Sequence, residues 1–544
     1  MARATADGAG RRFPRRREIA GLAALFVLSL VLRLYKLDAS FWNDEVLMQK
    51  GASLPLMEII SHRFNFLYYL LAHICLNWAD NEVMLRLPSV VAGVLGVLAL
   101  YGLTRQIVGA RNGIAVPLLA SVLLSISAYH LERSQEARFY ALVILASILM
   151  TWTLWRALES RKWTAWAAFC LSANLGVASQ LTVLPYVGVL LAAAGFRVAI
   201  GPGAGTARRR LIGLATVALV GALSVVPLCV SGIAQGKSPD ALISGAEESA
   251  DDASIAQPPG GPDASYRLTP LMYARYLASY LPGTSAGVRI FLTALMLLGS
   301  ASLCKRTPTV AFLLIVQVLV VPLPFLFLHM EHWFNARYFC SLMPFVPLLT
   351  AMGVQAAADL FRRLLSHLHE QGPLIGLLPR VLLGLLAGAA SLISCKDAAD
   401  HFRDFPEHDW KSMGKQVASL LEPGDTLAFA RSPIVHRGRT TAVREKGYDS
   451  RSNVLEFYIR RYLRDTDSGD REKLFDTLRF TAAGSPDQIR AITNQSGSHR
   501  VLFISRSEES LSKPVRRLLS GLPSSRTVYV KGLTLRLVEV RNAP

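Results

Sequence analysis

Eleven stretches of the chain are almost wholly apolar: 19–35, 88–104, 113–130, 139–156, 164–180, 182–200, 211–231, 287–304, 309–329, 338–358 and 379–395. A bilayer core about 30 Å thick needs roughly 20 mostly apolar residues to cross it as a helix. Each stretch therefore predicts a membrane span. A twelfth, 64–79 (FNFLYYLLAHICLNWA), has 16 residues and carries His73 and Asn77; by length it predicts a short span or a helix lying in the interface. After residue 395 the apolar runs stop. HDWKSMGKQVASLLEPGD then predicts an amphipathic helix ended by Pro423-Gly424. TLAFA (426–430), RVLFIS (500–505) and 527–540 predict strands, with helical patterns at 484–495 and 508–520 between them. The expected fold is a polytopic α-helical membrane body of about eleven spans over 1–395, followed by a small α/β domain over 396–544.

Composition agrees. The chain of 544 residues is 52% hydrophobic and only 18% charged, where soluble chains carry about 25% charged residues. The net charge of +19 reads first as topology, because cytoplasmic loops are enriched in Lys and Arg. Suppose the amino terminus is cytoplasmic and 64–79 does not span. The inside segments then hold 20 Lys and Arg in about 75 residues, and the outside loops ten in about 125. If 64–79 spanned, Arg208–Arg210 and Arg362–Arg363 would fall outside. Eleven spans with an interfacial helix is the expected arrangement. It makes 36–87 and 232–286 large outside loops and puts 396–544 outside, in the periplasm of a Gram-negative cell. RRFPRRRE lacks a small-residue cleavage site after the following run, so the first helix is expected to stay uncleaved. The six cysteines are scattered without zinc or disulfide spacing. The carboxy-terminal domain is only +7 with acids and bases interspersed, so nucleic acid is not an expected partner.

Ionisable residues at a membrane edge are costly and tend to be functional. Here they gather on the outside. SFWNDEVLMQKG carries Asp44 and Glu45, and the same loop continues to His62 and Arg63. YHLERSQEARFY carries Glu132, Arg133, Glu136 and Arg138. HMEHWFNARYF carries His329, Glu331, His332 and Arg337. Carboxylates beside arginines at a lipid interface suit one chemistry: a carboxylate base activates an acceptor hydroxyl while arginines hold a lipid-linked phosphate leaving group. Each residue also has an ordinary reading. Asp44-Glu45 would serve as helix amino-terminal anions, Arg337 as a headgroup snorkeller and Gln317 as a helix–helix hydrogen bond. His329, Glu331 and His332 leave a divalent metal open, although no metal-site spacing is present.

These segments carry a resemblance. RLYKLDASFWNDE resembles the Asp-Glu loop of GT-C superfamily glycosyltransferases of the dolichyl-phosphate-mannose protein mannosyltransferase-like group, family 39 in the broad bacterial sense. FLYYLLAH (66–73), RLPS (86–89), SAYHLERSQEARFYAL (127–142) and ARYFCSLMPFVPLL (336–349) are similar to further stretches of that group in the same order. HDWKSMGKQVASLLEPGD resembles the start of its extracytoplasmic domain. Transferases of aminoarabinose and galacturonic acid to lipopolysaccharide belong to the same broad group.

The resemblance implies an inverting transferase in the bacterial inner membrane. It would move a hexosyl or pentosyl group from a polyprenyl-phosphate donor to an envelope lipid, polysaccharide or protein on the outer face. It assigns Asp44 as general base and Glu45 as the neighbour that orients substrate. Arg138 and Arg337 compensate the phosphate, with Arg63 or His62 standing in for a lysine that has no counterpart here. Glu136, Glu331 and His332 are further site candidates, and no cofactor is assigned. Asn65-Phe66 replaces the group's Pro-Pro. A polytopic transporter or lipid flippase is the alternative; it predicts mid-membrane charges and an internal repeat, and neither is visible. A non-catalytic envelope scaffold is the third reading.

Overall fold

The computed structural model describes residues 16–62, 66–109, 113–160, 162–200, 207–224, 268–283, 285–323, 336–366, 373–405, 409–422 and 425–430. Beyond these it describes 435–436, 439–440, 450–464, 479–483, 489–490, 499–506, 515, 517–519, 524–530 and 533–540. The helices in chain order are α1 (Arg16–Leu34), α2 (Asn43–Ala52), α3 (Leu56–His62), α4 (Phe66–Leu76), α5 (Glu82–Val108) and α6 (Ala115–Ser125). They continue with α7 (Ala128–Gln135), α8 (Tyr140–Ser160), α9 (Trp163–Ser179), α10 (Leu184–Ile200), α11 (Ala207–Ser224) and α12 (Pro270–Ala278). The last are α13 (Ala286–Arg306), α14 (Pro308–Val320), α15 (Phe345–Ser366), α16 (Pro373–Asp404), α17 (Trp410–Leu420) and α18 (Ser450–Arg464). A 3-10 segment, Ala336–Leu342, precedes α15.

Within the described residues the eleven apolar stretches fall on helices, three of them (113–130, 182–200 and 338–358) on a pair of adjoining helical segments; 225–231 and 324–329 lie outside the described residues. Five of the described helices are long and apolar enough to cross a bilayer, six if the bent pair α6–α7 is one span. The body is therefore that of a multi-pass membrane protein. Exposed apolar side chains on α13 (Ile290, Leu297), α14 (Leu319) and α16 (Leu385, Leu392) fit that setting, since a water-exposed surface rarely carries so much apolar area. The stretch at 64–79 is the eleven-residue α4. At 1.5 Å per residue it is about 16 Å long, too short to cross.

Two local features shape the body. Between α6 and α7 the axis bends by 58°. Ile126 and Ser127 break the helix, and Ser127 caps α7 by accepting from the His130 N–H. Elsewhere, α13 and α15 approach until backbone meets backbone. A Cβ on Gly299 would lie 2.0 Å from the Leu349 carbonyl oxygen, and one on Gly353 would lie 1.8 Å from that of Leu295. Small residues at such crossings let the dispersion contacts of whole backbones form. Gln317 is fully buried; it accepts from Tyr186 Oη at 2.6 Å and donates to Thr151 at 3.3 Å, the helix–helix role expected of it.

Beyond α16 the chain forms a five-stranded mixed sheet of order β4-β1-β5-β7-β6. Its strands are β1 (Thr426–Ala430), β4 (Arg479–Ala483), β5 (His499–Arg506), β6 (Ser524–Val530) and β7 (Leu533–Val540); a two-stranded ribbon, β2 (Val435–His436) and β3 (Arg439–Thr440), stands apart. β4, β1 and β5 run parallel, and β7 is antiparallel to β5 and β6. Three expectations change. The stretch 527–540 falls on two antiparallel strands, β6 and β7, rather than one. The break expected after residue 395 falls inside α16, which runs on to Asp404 because its last turns are helical but polar. Helix α18 and strand β4 were not expected. The patterns at 484–495 and 508–520 lie mostly outside the described residues, as does 235–265.

Replacing Gly299 or Gly353 by alanine should each cost about 1–3 kcal/mol by overpacking. Thermal unfolding of the purified protein in detergent checks this, as a lowered melting midpoint for both variants.

Candidate functional site

The site is assembled from the segment after α1. Residues 35–42 leave the helix and lead into α2, whose first turn holds Asn43, Asp44 and Glu45. Carboxylates are stabilised there by the unpaired N–H groups of the helix start. Glu45 reaches back to accept from the Trp42 N–H at 3.2 Å.

The two adjacent acids have opposite surroundings. The side chain of Glu45 is 0% exposed. Arg86, from the first turns of α5, grips it through Nε and Nη2 at 2.7 and 2.6 Å. The remaining Arg86 donors reach the carbonyls of Leu37, Ala39 and Ser40 at 2.8, 2.7 and 3.1 Å. Glu45 also accepts from the Ala137 N–H at 2.7 Å. One buried ion pair thus ties together three segments: the loop after α1, the start of α5 and the turn between α7 and α8.

Asp44 is 12% exposed at its side chain. Its Oδ2 lies 3.4 Å from Arg138 Nη2 and 3.4 Å from Arg337 Nη1. Arg138 follows the turn that Ala137 anchors. Its carbonyl accepts from Ser89 Oγ at 2.9 Å, and its guanidinium lies 5.2 Å over the Phe139 ring. Arg337 enters from the 3-10 segment before α15 and lies 6.0 Å over Tyr140. Two cations from separate parts of the chain therefore flank one carboxylate, each resting on an aromatic face.

Glu136 sits beside this group. Arg133 donates to both its oxygens, at 2.8 and 2.6 Å, and also pairs with Glu132. Burial nevertheless pushes the Glu136 carboxyl up to about 7. Among the expected residues, Asp44, Arg138 and Arg337 come together, with Glu136 adjacent. His62 ends α3, and its side chain is not described. Arg63, Glu331 and His332 lie outside the described residues, as does His329. Among the described residues no group of three His, Cys, Asp or Glu side chains is placed to hold a metal ion.

The family profile described as dolichyl-phosphate-mannose-protein mannosyltransferase matches residues 64–230. No curated protein matches the chain. Among solved structures, ArnT from Cupriavidus metallidurans bound to undecaprenyl phosphate superposes with a TM-score of 0.52 at 10% identity, over 95% of this chain and 98% of that one. The apo state of ArnT gives a TM-score of 0.51 at 10% identity, with the same coverage. The chain therefore shares the fold of ArnT, and residues 64–230 are similar to the mannosyltransferase profile. The likeness to ArnT covers 95% of the chain, whereas the profile match takes in α4 to α11 and so includes Arg86 and Arg138 but not Asp44 or Arg337.

Arg86 went unrecognised as a site residue from sequence. Its signal was available: a lone arginine at the opening of an apolar helix needs a buried partner. Two outcomes follow. Glu45→Gln or Arg86→Met leaves the other partner buried and unpaired, which should cost about 3–5 kcal/mol in equilibrium or thermal unfolding. For Glu136 the folded-state value lies above the ordinary carboxyl value near 4.5, so the folded protein holds the extra proton. Its contribution to stability is full below about 4.5 and is lost as pH rises through about 7. Difference infrared spectroscopy should show a protonated carboxyl band that titrates away near pH 7 and is missing in Glu136→Gln.

Proposed function

We propose that the protein is an inverting glycosyltransferase. It takes a sugar from a polyprenyl-phosphate donor and delivers it to an envelope lipid, polysaccharide or protein. The observation that carries this reading is the placement of Asp44 between Arg138 and Arg337. Asp44 is the general base. It accepts the proton of the acceptor hydroxyl as that oxygen bonds to the anomeric carbon. The bond from that carbon to the phosphate oxygen breaks with its electron pair, and polyprenyl phosphate leaves.

Charge explains why two arginines belong here. The donor is a phosphodiester with one negative charge, and the departing phosphate monoester gains a second. Guanidinium groups aimed at that phosphate bind it more strongly as charge develops, which lowers the barrier rather than only tightening binding. In the ligand-free protein Asp44 holds the two cations in place. An arriving phosphate competes for them and releases the carboxylate to act as base. Glu45, saturated by Arg86 and two backbone N–H groups, is a positioning residue in this reading; the burial that secures it keeps it from orienting substrate directly.

The arrangement in the membrane is part of the proposal. Eleven spans with a cytoplasmic amino terminus put the site and the carboxy-terminal α/β domain on the periplasmic or extracellular face of the inner membrane. The contacts of α17 and α18 with the Asp44 loop and the start of α5 support one shared face. The bound undecaprenyl phosphate named for the ArnT structure supports a polyprenyl-phosphate ligand.

Asp44→Asn should keep the fold and lose about 10²–10⁴-fold in transfer, measured with purified protein and radiolabelled polyprenyl-phosphate sugars. Undiminished turnover would remove Asp44 from the mechanism. Mass spectrometry of envelope glycolipids from cells lacking the protein should show one sugar modification missing, which identifies the acceptor.

A further inference from the structure

The carboxy-terminal unit does more than sit beside the site. Tyr458 of α18 is fully buried, and its Oη accepts from the Phe41 N–H at 2.6 Å. Phe41 lies three residues before Asp44. Its ring packs against Tyr458 and Phe457, with centroids 6.2 and 5.7 Å away, and Arg86 lies over it at 5.4 Å. The approach is close because Gly414 of α17 leaves room for it: a Cβ there would lie 2.4 Å from Tyr458 Cβ. A second contact reaches α5. Glu82, in the turn before Arg86, pairs with Lys411 of α17 at 3.2 Å and Arg461 of α18 at 3.5 Å. A third ties the loop to the end of α16, where Lys36 Nζ donates to the carbonyls of Phe402 and Phe405 at 2.6 and 3.0 Å.

These contacts converge on the two elements that set the position of Asp44: the loop that leads to it and the helix that carries Arg86. They engage backbone and buried charge, not a surface remote from the chemistry. We propose that the carboxy-terminal unit is a working part of the transfer site, with Tyr458 as a positioning residue for Asp44. The proposal rests on the transfer reading above. Displacing the loop by even about 1 Å misplaces the base, and misplacement of that order is enough to cost about 10²-fold in rate. The Phe41 N–H that Tyr458 accepts from belongs to the loop before Asp44, not to the segments that carry Arg138 and Arg337.

The test is Tyr458→Phe in the full-length protein, which keeps the ring and removes only the acceptor for the Phe41 N–H. Turnover by the wild-type chain is established first. The variant should then lose about tenfold or more in kcat, with donor KM and undecaprenyl phosphate binding unchanged. Lys411→Ala should lower kcat by less, since Arg461 remains on Glu82, and Lys411→Arg should restore it. An unchanged kcat in Tyr458→Phe overturns the proposal. So does a fall in kcat matched by loss of undecaprenyl phosphate binding, which marks a general structural defect. If the wild-type chain transfers from no polyprenyl-phosphate sugar, the transfer reading itself fails, and this proposal with it.

Discussion

The ion pair between Glu45 and Arg86 is the constraint on which the rest of the site depends. Both side chains are removed from water, and a buried pair is favourable only when every donor and acceptor is matched. Here the matching is done by backbone: three carbonyls of residues 37–40 on the arginine, and the amides of Trp42 and Ala137 on the glutamate. The need to satisfy two buried charges therefore dictates the path of two loops. The neighbouring Asp44 and the later Arg138 inherit their positions from that path. Adjacent carboxylates of the same chemistry meet different partners: Glu45 is held by Arg86 and backbone amides, while Asp44 lies between Arg138 and Arg337.

The membrane body supplies the frame. The bend between α6 and α7 delivers the Glu132–Arg138 segment to the end of α1 instead of carrying it onward as a straight helix. The backbone contact of α13 with α15 fixes the helix that follows Arg337. Arg33 on α1 shows the same logic deeper in the body. It is fully buried and bonded to Ser29 and to His130 Nδ1 at 2.7 Å, and Gly93 leaves the room it occupies. Polar residues at these depths join helices, and at the helix ends they join loops.

Much of this was legible in the residues. Apolar runs located the helices because a bilayer demands about 20 such residues whatever their order. Asp44, Arg138 and Arg337 were legible as a group because charge beside an apolar run is expensive. The different partners of Asp44 and Glu45 were not, since they depend on which carboxylate Arg86 can reach from a different helix. Helix α18 was missed although its pattern is amphipathic, and with it Tyr458, whose partner is a backbone N–H 417 positions away. The end of α16 was misplaced because hydropathy follows the solvent, while helix hydrogen bonding continues into polar sequence. Local pattern reports burial well; it cannot report which distant group a buried side chain will meet.

The proposed transfer chemistry turns on where the donor phosphate sits relative to Asp44. The most direct measurement is a cryo-electron microscopy structure of the protein with undecaprenyl phosphate. The phosphate oxygens should lie within hydrogen-bond reach of the Arg138 and Arg337 guanidiniums, with the Asp44 carboxylate freed from both and facing the space where a sugar would attach. A phosphate bound away from these arginines, with Asp44 still paired to them, would contradict the account.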